Sequence, residues 1–110
     1  MSTVVVARAL DYFADEGVVE GAVRILTPFD EGTNWRCQYQ LSWPGYQREF
    51  GIRGLDAWQA LQLAMNIVPS AIFATDDFQQ GRIGVSGQRL STLEEIYELF
   101  GVKPLEGPAR

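Results

Sequence analysis

The sequence contains no histidine and only one cysteine, Cys37. Lacking imidazole, the chain lacks the commonest general base and the commonest metal ligand, which disfavours triad hydrolases, zinc sites and histidine-based pH switching. No catalytic residue, metal or cofactor is implied. One cysteine permits no internal disulfide and leaves the redox compartment open. No apolar run approaches the roughly 20 residues that span a bilayer, and the amino terminus lacks a basic stretch followed by a long hydrophobic one. The expectation is a cytoplasmic protein with no membrane contact. Basic residues are also scarce: 9 Lys and Arg against 14 Asp and Glu give a net charge of −5. Nucleic acid is a poor partner for such a chain, because its binding rests on cations that neutralise phosphates. A basic protein surface suits it better, although moderate net charge also serves plain solubility.

The 110 residues are 46% hydrophobic and 21% charged, near the globular average, and show no repeat, linker or low-complexity segment. One domain over 1–110 is expected, with a loose tail at about 102–110. A chain of this size can bury a core without metals or disulfides.

The stretch Gly54 to Val68 organises the rest. Asp56 precedes an apolar pattern and Gln59 follows three residues later, the spacing with which a helix start satisfies its orphan N–H groups. Trp58, Leu61, Met65 and Val68 then recur at helical spacing beside Ala57, Ala60 and Ala64. One stripe is large and its flank small, so the helix should lie closely on a sheet. Pro69 should stop or kink it, making Val68 the expected boundary, and could open a second short helix over 69–75.

Strands are expected over 3–13, 19–28, 35–43 and 48–53, joined by turns at Asp15-Glu16-Gly17, Asp30-Glu31-Gly32 and Pro44-Gly45. In the first, Val4, Val6, Leu10 and Tyr12 fall on one face. The third is the plainest, with Trp35, Cys37, Tyr39, Leu41 and Trp43 alternating against Arg36, Gln38, Gln40 and Ser42. Its aromatic face needs cover, because exposed it would be an aggregation-prone patch. Cys37 shares that face and should be an inert small hydrophobe. After a polar turn at 76–81, residues 82–85 form a short strand or a link. Ser91 with Glu94, or Thr92 with Glu95, then opens an amphipathic helix carrying Leu93, Ile96, Tyr97 and Phe100 and closed by Gly101. The fold class is therefore α+β: a four-stranded antiparallel meander with one face covered by the long helix, plus a short C-terminal helix.

The acidic pairs are adjacent in sequence and form neither the alternating ligands of a calcium loop nor two carboxyls facing across a cleft. Solvated turns and helix faces account for most of them. The residues with a case for contacting a partner are Glu94, Glu95 and Glu98 on the last helix, Asp30, Glu31, Asp76 and Asp77 in turns, and Trp43 and Tyr46 at or beside a hairpin tip, where few neighbours can bury them; the alternative is that Trp43 closes the core rim and Tyr46 lies over the sheet edge.

Asn34-Trp35-x-Cys37-x-Tyr39 on one strand, with Gly54-Leu55-Asp56-x-x-Gln59-Ala60-Leu61 opening a helix, resembles a family of small uncharacterised bacterial proteins. The likeness covers residues 21–68, with Arg53 and Trp58 as departures. It implies a meander-plus-helix fold and a bacterial origin, and no activity. In size and charge alone the chain is also similar to bacterial immunity proteins. The reading is a non-enzymatic module that binds another, basic protein, with an immunity or inhibitor role as its most concrete form. The alternatives are a small-molecule or catalytic module using loop carboxylates and a structural subunit that self-associates; monomer and homodimer are both open.

Overall fold

The computed structural model describes residues 3–102. Ten elements follow in order: β1 (Val4–Ala14), β2 (Gly17–Leu26), β3 (Phe29–Asp30), β4 (Trp35–Trp43), β5 (Tyr46–Gly54), α1 (Ala57–Phe73), α2 (Asp76–Gln79), β6 (Ile83–Val85), β7 (Gln88–Arg89) and α3 (Leu93–Phe100). The class is α+β, and all strand pairs are antiparallel.

The expected meander is present as β1, β2, β4 and β5, each hydrogen-bonded to the next, but the sheet has seven strands rather than four. Three short strands account for the difference. Thr27 and Pro28 interrupt the second long strand, and the chain resumes as β3 alongside the same neighbour, with Phe29 opposite Arg36 and Asp30 opposite Trp35. Proline supplies no ladder donor, which is why the strand breaks there. The other two strands, β6 and β7, form a hairpin on the far side of β1. Its turn is Ser86-Gly87, both at positive φ, the backbone that a two-residue hairpin demands. Asp11 on β1 holds this turn by accepting a hydrogen bond from the Gly87 N–H at 2.6 Å.

Pairing across β4 and β5 places Trp35, Cys37, Tyr39, Leu41 and Trp43 on one face with Gly54, Ile52, Phe50, Arg48 and Tyr46 opposite them. Cys37, Tyr39, Leu41 and Trp43 are buried beneath α1, together with Val23 and Ile25 of β2 and Leu10 of β1. The strand expected to need cover has it. Val4 and Val6, expected on the same face as Leu10, are exposed, and a bulge between Val4 and Val6 shifts the register there.

Two features of α1 differ from expectation. Ala60, Ala64, Val68, Pro69 and Ile72 are its buried residues, whereas Trp58 is 80% exposed and Met65 is exposed too. The alanine flank meets the sheet, and of the large stripe Val68 is buried and Leu61 packs against the core while Trp58 and Met65 face outward. Bulk comes from the sheet side, where Trp35, Tyr39, Leu41 and Trp43 leave room only for small residues opposite. The helix also runs through Pro69 to Phe73, so no separate helix begins at Pro69. Loss of the Pro69 N–H leaves the carbonyl of Met65 without its usual partner, and Met65 lies on the exposed side, where solvent can replace the bond.

The helix ends obey local rules. Asp56 accepts from the Gln59 N–H at 2.8 Å, while the Gln59 side chain reaches back to the Leu55 N–H at 2.6 Å. Of the two starts open for α3, Thr92 with Glu95 forms the reciprocal box, and Gly101 closes the helix at a φ of 67°. Ser70 and Tyr97 hydroxyls, 2.8 Å apart, join α1 to α3. Four residues of the expected polar turn at 76–81 form α2, capped by Thr75. The expected tail lies outside the described residues apart from Val102.

The close approach of α1 to β5 rests on Gly54. A β-carbon there would lie 2.5 Å from the Ala60 amide nitrogen and 2.9 Å from its Cα. Gly54→Ala should therefore force the helix start off the sheet and destabilise the domain by about 2 kcal/mol, the scale of core overpacking. Urea denaturation followed by tryptophan fluorescence reads this as a lower midpoint with an unchanged slope.

Candidate protein-interaction site

The nine residues with a case for partner contact fall into three places. Trp43, Tyr46, Asp76 and Asp77 come together where the β4–β5 hairpin tip meets α2. Trp43 is 3% exposed, its ring stacked on Tyr46 at 4.8 Å, and its indole N–H donates to Asp77 Oδ2 at 2.8 Å. Buried and hydrogen-bonded, Trp43 closes the rim of the core instead of projecting as an anchor. Tyr46 is half-buried, and with Glu20, Ser42 and Gln47 it lines a shallow cleft at this end. Asp30 and Glu31 lie at the other end of β4, about 27 Å away along the strand. Asp30 accepts from the Gly32 N–H at 2.8 Å, and Glu31 pairs with Arg53 at 3.0 Å. Glu94, Glu95 and Glu98 form the third group, on α3. Glu94 and Glu98 are exposed, while one carboxylate oxygen of Glu95 takes the Ser91 and Thr92 N–H groups at 2.8 and 3.0 Å. These nine do not form one continuous surface.

What the structure does present is an apolar patch at the start of α1. Leu55 is 81% exposed and Trp58 80%, one on each side of the capping Asp56, and Met65 continues the line two turns further on. Sequence reasoning placed Trp58 in the stripe of a helix lying on the sheet. The overlooked signal was the pairing of Gly54 with Ala60 and Ala64: a helix lying that close turns its small side inward, and its large residues must go elsewhere.

Charge is divided between the layers. Residues 54–81 and 90–102, which make up the helical layer and its ends, hold six acidic residues and no Lys or Arg, and α1 itself has no charged residue. The seven arginines of the described residues, Arg8, Arg24, Arg36, Arg48, Arg53, Arg82 and Arg89, are all on strands or next to one. The apolar patch therefore sits in a layer of uniformly negative charge.

Chemically reactive groups are otherwise quiet. Cys37 is fully buried, and its Sγ donates to the Leu26 carbonyl at 3.3 Å; burial pushes the thiol up from its ordinary value, so the reactive thiolate is suppressed. Among the described residues no group of three His, Cys, Asp or Glu is placed to hold a metal ion. No helix among them is long and apolar enough to cross a membrane.

Residues 6–94, from the first half of β1 to the first turn of α3, match a family described as Domain of unknown function (DUF6968). The chain belongs to this family. The matched span of the DUF6968 domain takes in six of the seven strands complete, part of β1, and all of α1 with its Leu55–Trp58 patch. Nothing matches among the curated proteins or the solved structures.

The Glu95 carboxyl is held below the ordinary glutamate value of 4.5 by the Ser91 and Thr92 backbone N–H groups. A depressed folded value means that the stabilisation is complete above the unfolded value and is lost as pH falls through the lower, folded one. A carbon-detected NMR titration of the side-chain carboxyls should place the Glu95 midpoint under 4.5. The Thr92 and Ser91 amide signals should move with it, and Glu95→Gln should abolish that coupled movement.

Proposed function

We propose that this DUF6968 domain is a non-enzymatic protein-binding module that docks a basic partner on its helical layer. An immunity or inhibitor role would be one biological form of that reading. The observation that carries it is the pair Leu55 and Trp58, which are the most exposed large apolar residues described and stand on a single turn at the start of a helix. Exposed tryptophan is expensive in water, and tryptophan is among the residues that dominate interface energetics. The cap at Asp56 fixes this turn, so the two side chains are presented from a rigid element rather than from a loop.

The surrounding charge supports the choice of partner. Asp56, Asp76, Glu94 and Glu98 are exposed in a layer with no cation of its own. Such a field speeds encounter with a positive surface and disfavours an acidic one, while the apolar anchors supply most of the affinity. Glu94 and Glu98, read from sequence as partner-contact residues, take a steering role in this reading, and Leu55 and Trp58 take the anchoring role for which the sequence had offered Trp43 and Tyr46.

The test is site-specific photo-crosslinking in the native host with p-benzoylphenylalanine at position 58, and at position 47 on the opposite face of the sheet as a control. Crosslinks at 58 to a protein of high isoelectric point, absent at 47 and lost in a Leu55→Asp background, are expected. With that protein purified, Trp58→Ala should weaken the complex by about 2 kcal/mol, and Glu94→Lys with Glu98→Lys should slow association and flatten its salt dependence. Equal crosslinking at both positions, or an acidic partner at 58, would overturn the reading.

A further inference from the structure

The first strand is only partly paired. Along its whole length β1 bonds to β2, but on its other side β6 meets it only at Asp11 and Tyr12, with Phe13 bonded to Arg82 just beyond. No described residue pairs with Val4 to Leu10 on that side. The Phe13 N–H donates towards β6, to the Arg82 carbonyl at 2.8 Å, and the Phe13 carbonyl accepts from Arg82 Nη1 at 3.0 Å. Backbone groups alternate along a strand, so Ala9 and Ala7, two and three steps of the same parity back from Phe13, direct their N–H and C=O groups to the open edge.

Proteins ordinarily blunt such an edge with lysine, proline or a covering loop. This one carries Val4, Val5, Val6, Ala7 and Ala9, all exposed, around a single charge, Arg8. A groove of about 190 Å³ adjoins it on the inner face, lined mainly by Val6, Val23, Ile25, Met65, Val68 and Phe100. Arg8 stands at this groove with its guanidinium 5.2 Å from the centre of the Phe100 ring. It forms no salt bridge with any described residue.

We propose that the free edge of β1 is a peptide-binding site that takes an extended segment of another protein by strand addition. The segment has an apolar side chain facing Val6 and a carboxylate facing Arg8. Main-chain bonds to Ala7 and Ala9 supply the pairing, and alternate side chains read the groove and the cation, as strand addition generally divides the work. The occupant's acidity follows from charge complementarity: Arg8 is the one cation of the edge, and opposite charges directly across an antiparallel pair attract whereas like charges repel. A second copy of the chain fits less well, because self-pairing centred on Ala7 sets Arg8 opposite Val6 and leaves both arginines without a carboxylate. This site is independent of the α1 surface proposed above and takes a segment of the opposite charge.

The probes are two fluorescein-labelled, acetylated heptapeptide amides, Thr-Val-Thr-Glu-Thr-Val-Thr and the same sequence with lysine in place of glutamate. They are titrated by fluorescence anisotropy against the full chain. The glutamate peptide should bind about tenfold more tightly than the lysine peptide, and Arg8→Glu should reverse that order. Ala7→Pro should abolish binding without loss of fold, since the N–H it removes faces the open edge. Should that variant fail to fold, N-methylating alternate amides of the glutamate peptide removes the same bonds without touching the protein, and one of the two methylation registers should abolish binding. Binding should also slow hydrogen exchange at Ala7 and Ala9. Equal affinity for the two peptides, no binding of either, binding undiminished by both methylation registers, or a dimer at the working concentration that Ala7→Pro dissolves would each overturn the proposal. Crosslinking at position 58 tests the other surface, so either reading can fail alone.

Discussion

The fold depends on how closely the backbone of α1 approaches the end of β5. Gly54 faces the Ala60 amide with no room for a β-carbon, and Ala60 and Ala64 continue that contact up the helix. Interiors are packed at crystal-like density, so a short interlayer distance must be filled from one side or the other. Here the sheet fills it, with the aromatic and aliphatic face of β4. Cys37 belongs to that filling: a small apolar residue between Trp35 and Tyr39, with its thiol bonded to the Leu26 carbonyl of the neighbouring strand. The sheet's bulk and the helix's smallness are two parts of one constraint.

That constraint also shapes the surface. Turning the alanine side inward turns Trp58 outward, and Leu55 just before the cap has no core to enter because Gly54 has already brought the chain onto the sheet. Arginines gather on the strands for a related reason. The uncovered face of the sheet alternates with the buried one, so its positions accept long polar side chains such as Arg24, Arg36 and Arg53, whereas Arg8 and Arg48 share the face of Val23 and Leu41 and remain exposed there; Arg36 lies across Gly51, where a β-carbon would sit 2.6 Å from its guanidinium. Within the helical layer most carboxylates stand at helix starts, where they meet free N–H groups and the positive end of the dipole: Asp56 at α1, Asp76 and Asp77 at α2, Glu94 and Glu95 at α3. Division of charge between the layers is therefore a consequence of local capping and strand alternation before it is anything else. Such a division still leaves partners an acidic helical layer to distinguish from a mixed strand layer, whose seven arginines are matched by Asp11, Asp15, Glu16, Glu20, Asp30, Glu31 and Glu49.

Much of this was legible residue by residue. Alternation from Trp35 to Trp43 identified β4 and its buried face, Asp56 and Thr92 announced the two main helices, and Gly101 ended the last one. These signals are local, and the tertiary structure agrees with them. Pro69 misled because its cost depends on where the orphaned carbonyl points, which is a property of the folded helix. Trp58 misled because periodicity identifies a stripe without saying which side of it meets a neighbour; only the volume already present on β4 decides that. Strands of two or three residues, such as β3, β6 and β7, are too short to carry a period, and each exists by pairing with a longer strand. Of the residues with a case for partner contact, Trp43 could be read from sequence either as a rim residue or as an anchor, and the nonlocal fact that bears on the choice is that Asp77, thirty-four positions away in sequence, takes its indole N–H.

The β6–β7 hairpin shows how incomplete coverage of an edge arises. Its length is fixed by the two-residue turn at Ser86-Gly87 and by Arg82, whose guanidinium bonds the Phe13 carbonyl and lies 3.5 Å from Asp15. Leu90 then leaves the strand to enter the core beside Ile83, and the chain turns into α3 within three residues. Because β6 runs antiparallel to β1, with Ile83 at Tyr12 and Gly84 at Asp11, its growth towards Val4 is ended by the Ser86-Gly87 turn, which follows Val85 directly and is tied to Asp11 through the Gly87 N–H. The unpaired stretch of β1 before Asp11 is thus what lies beyond this turn. It is held straight by β2 on one side and floored by the groove beneath, and these two conditions present a strand edge ready for a further strand.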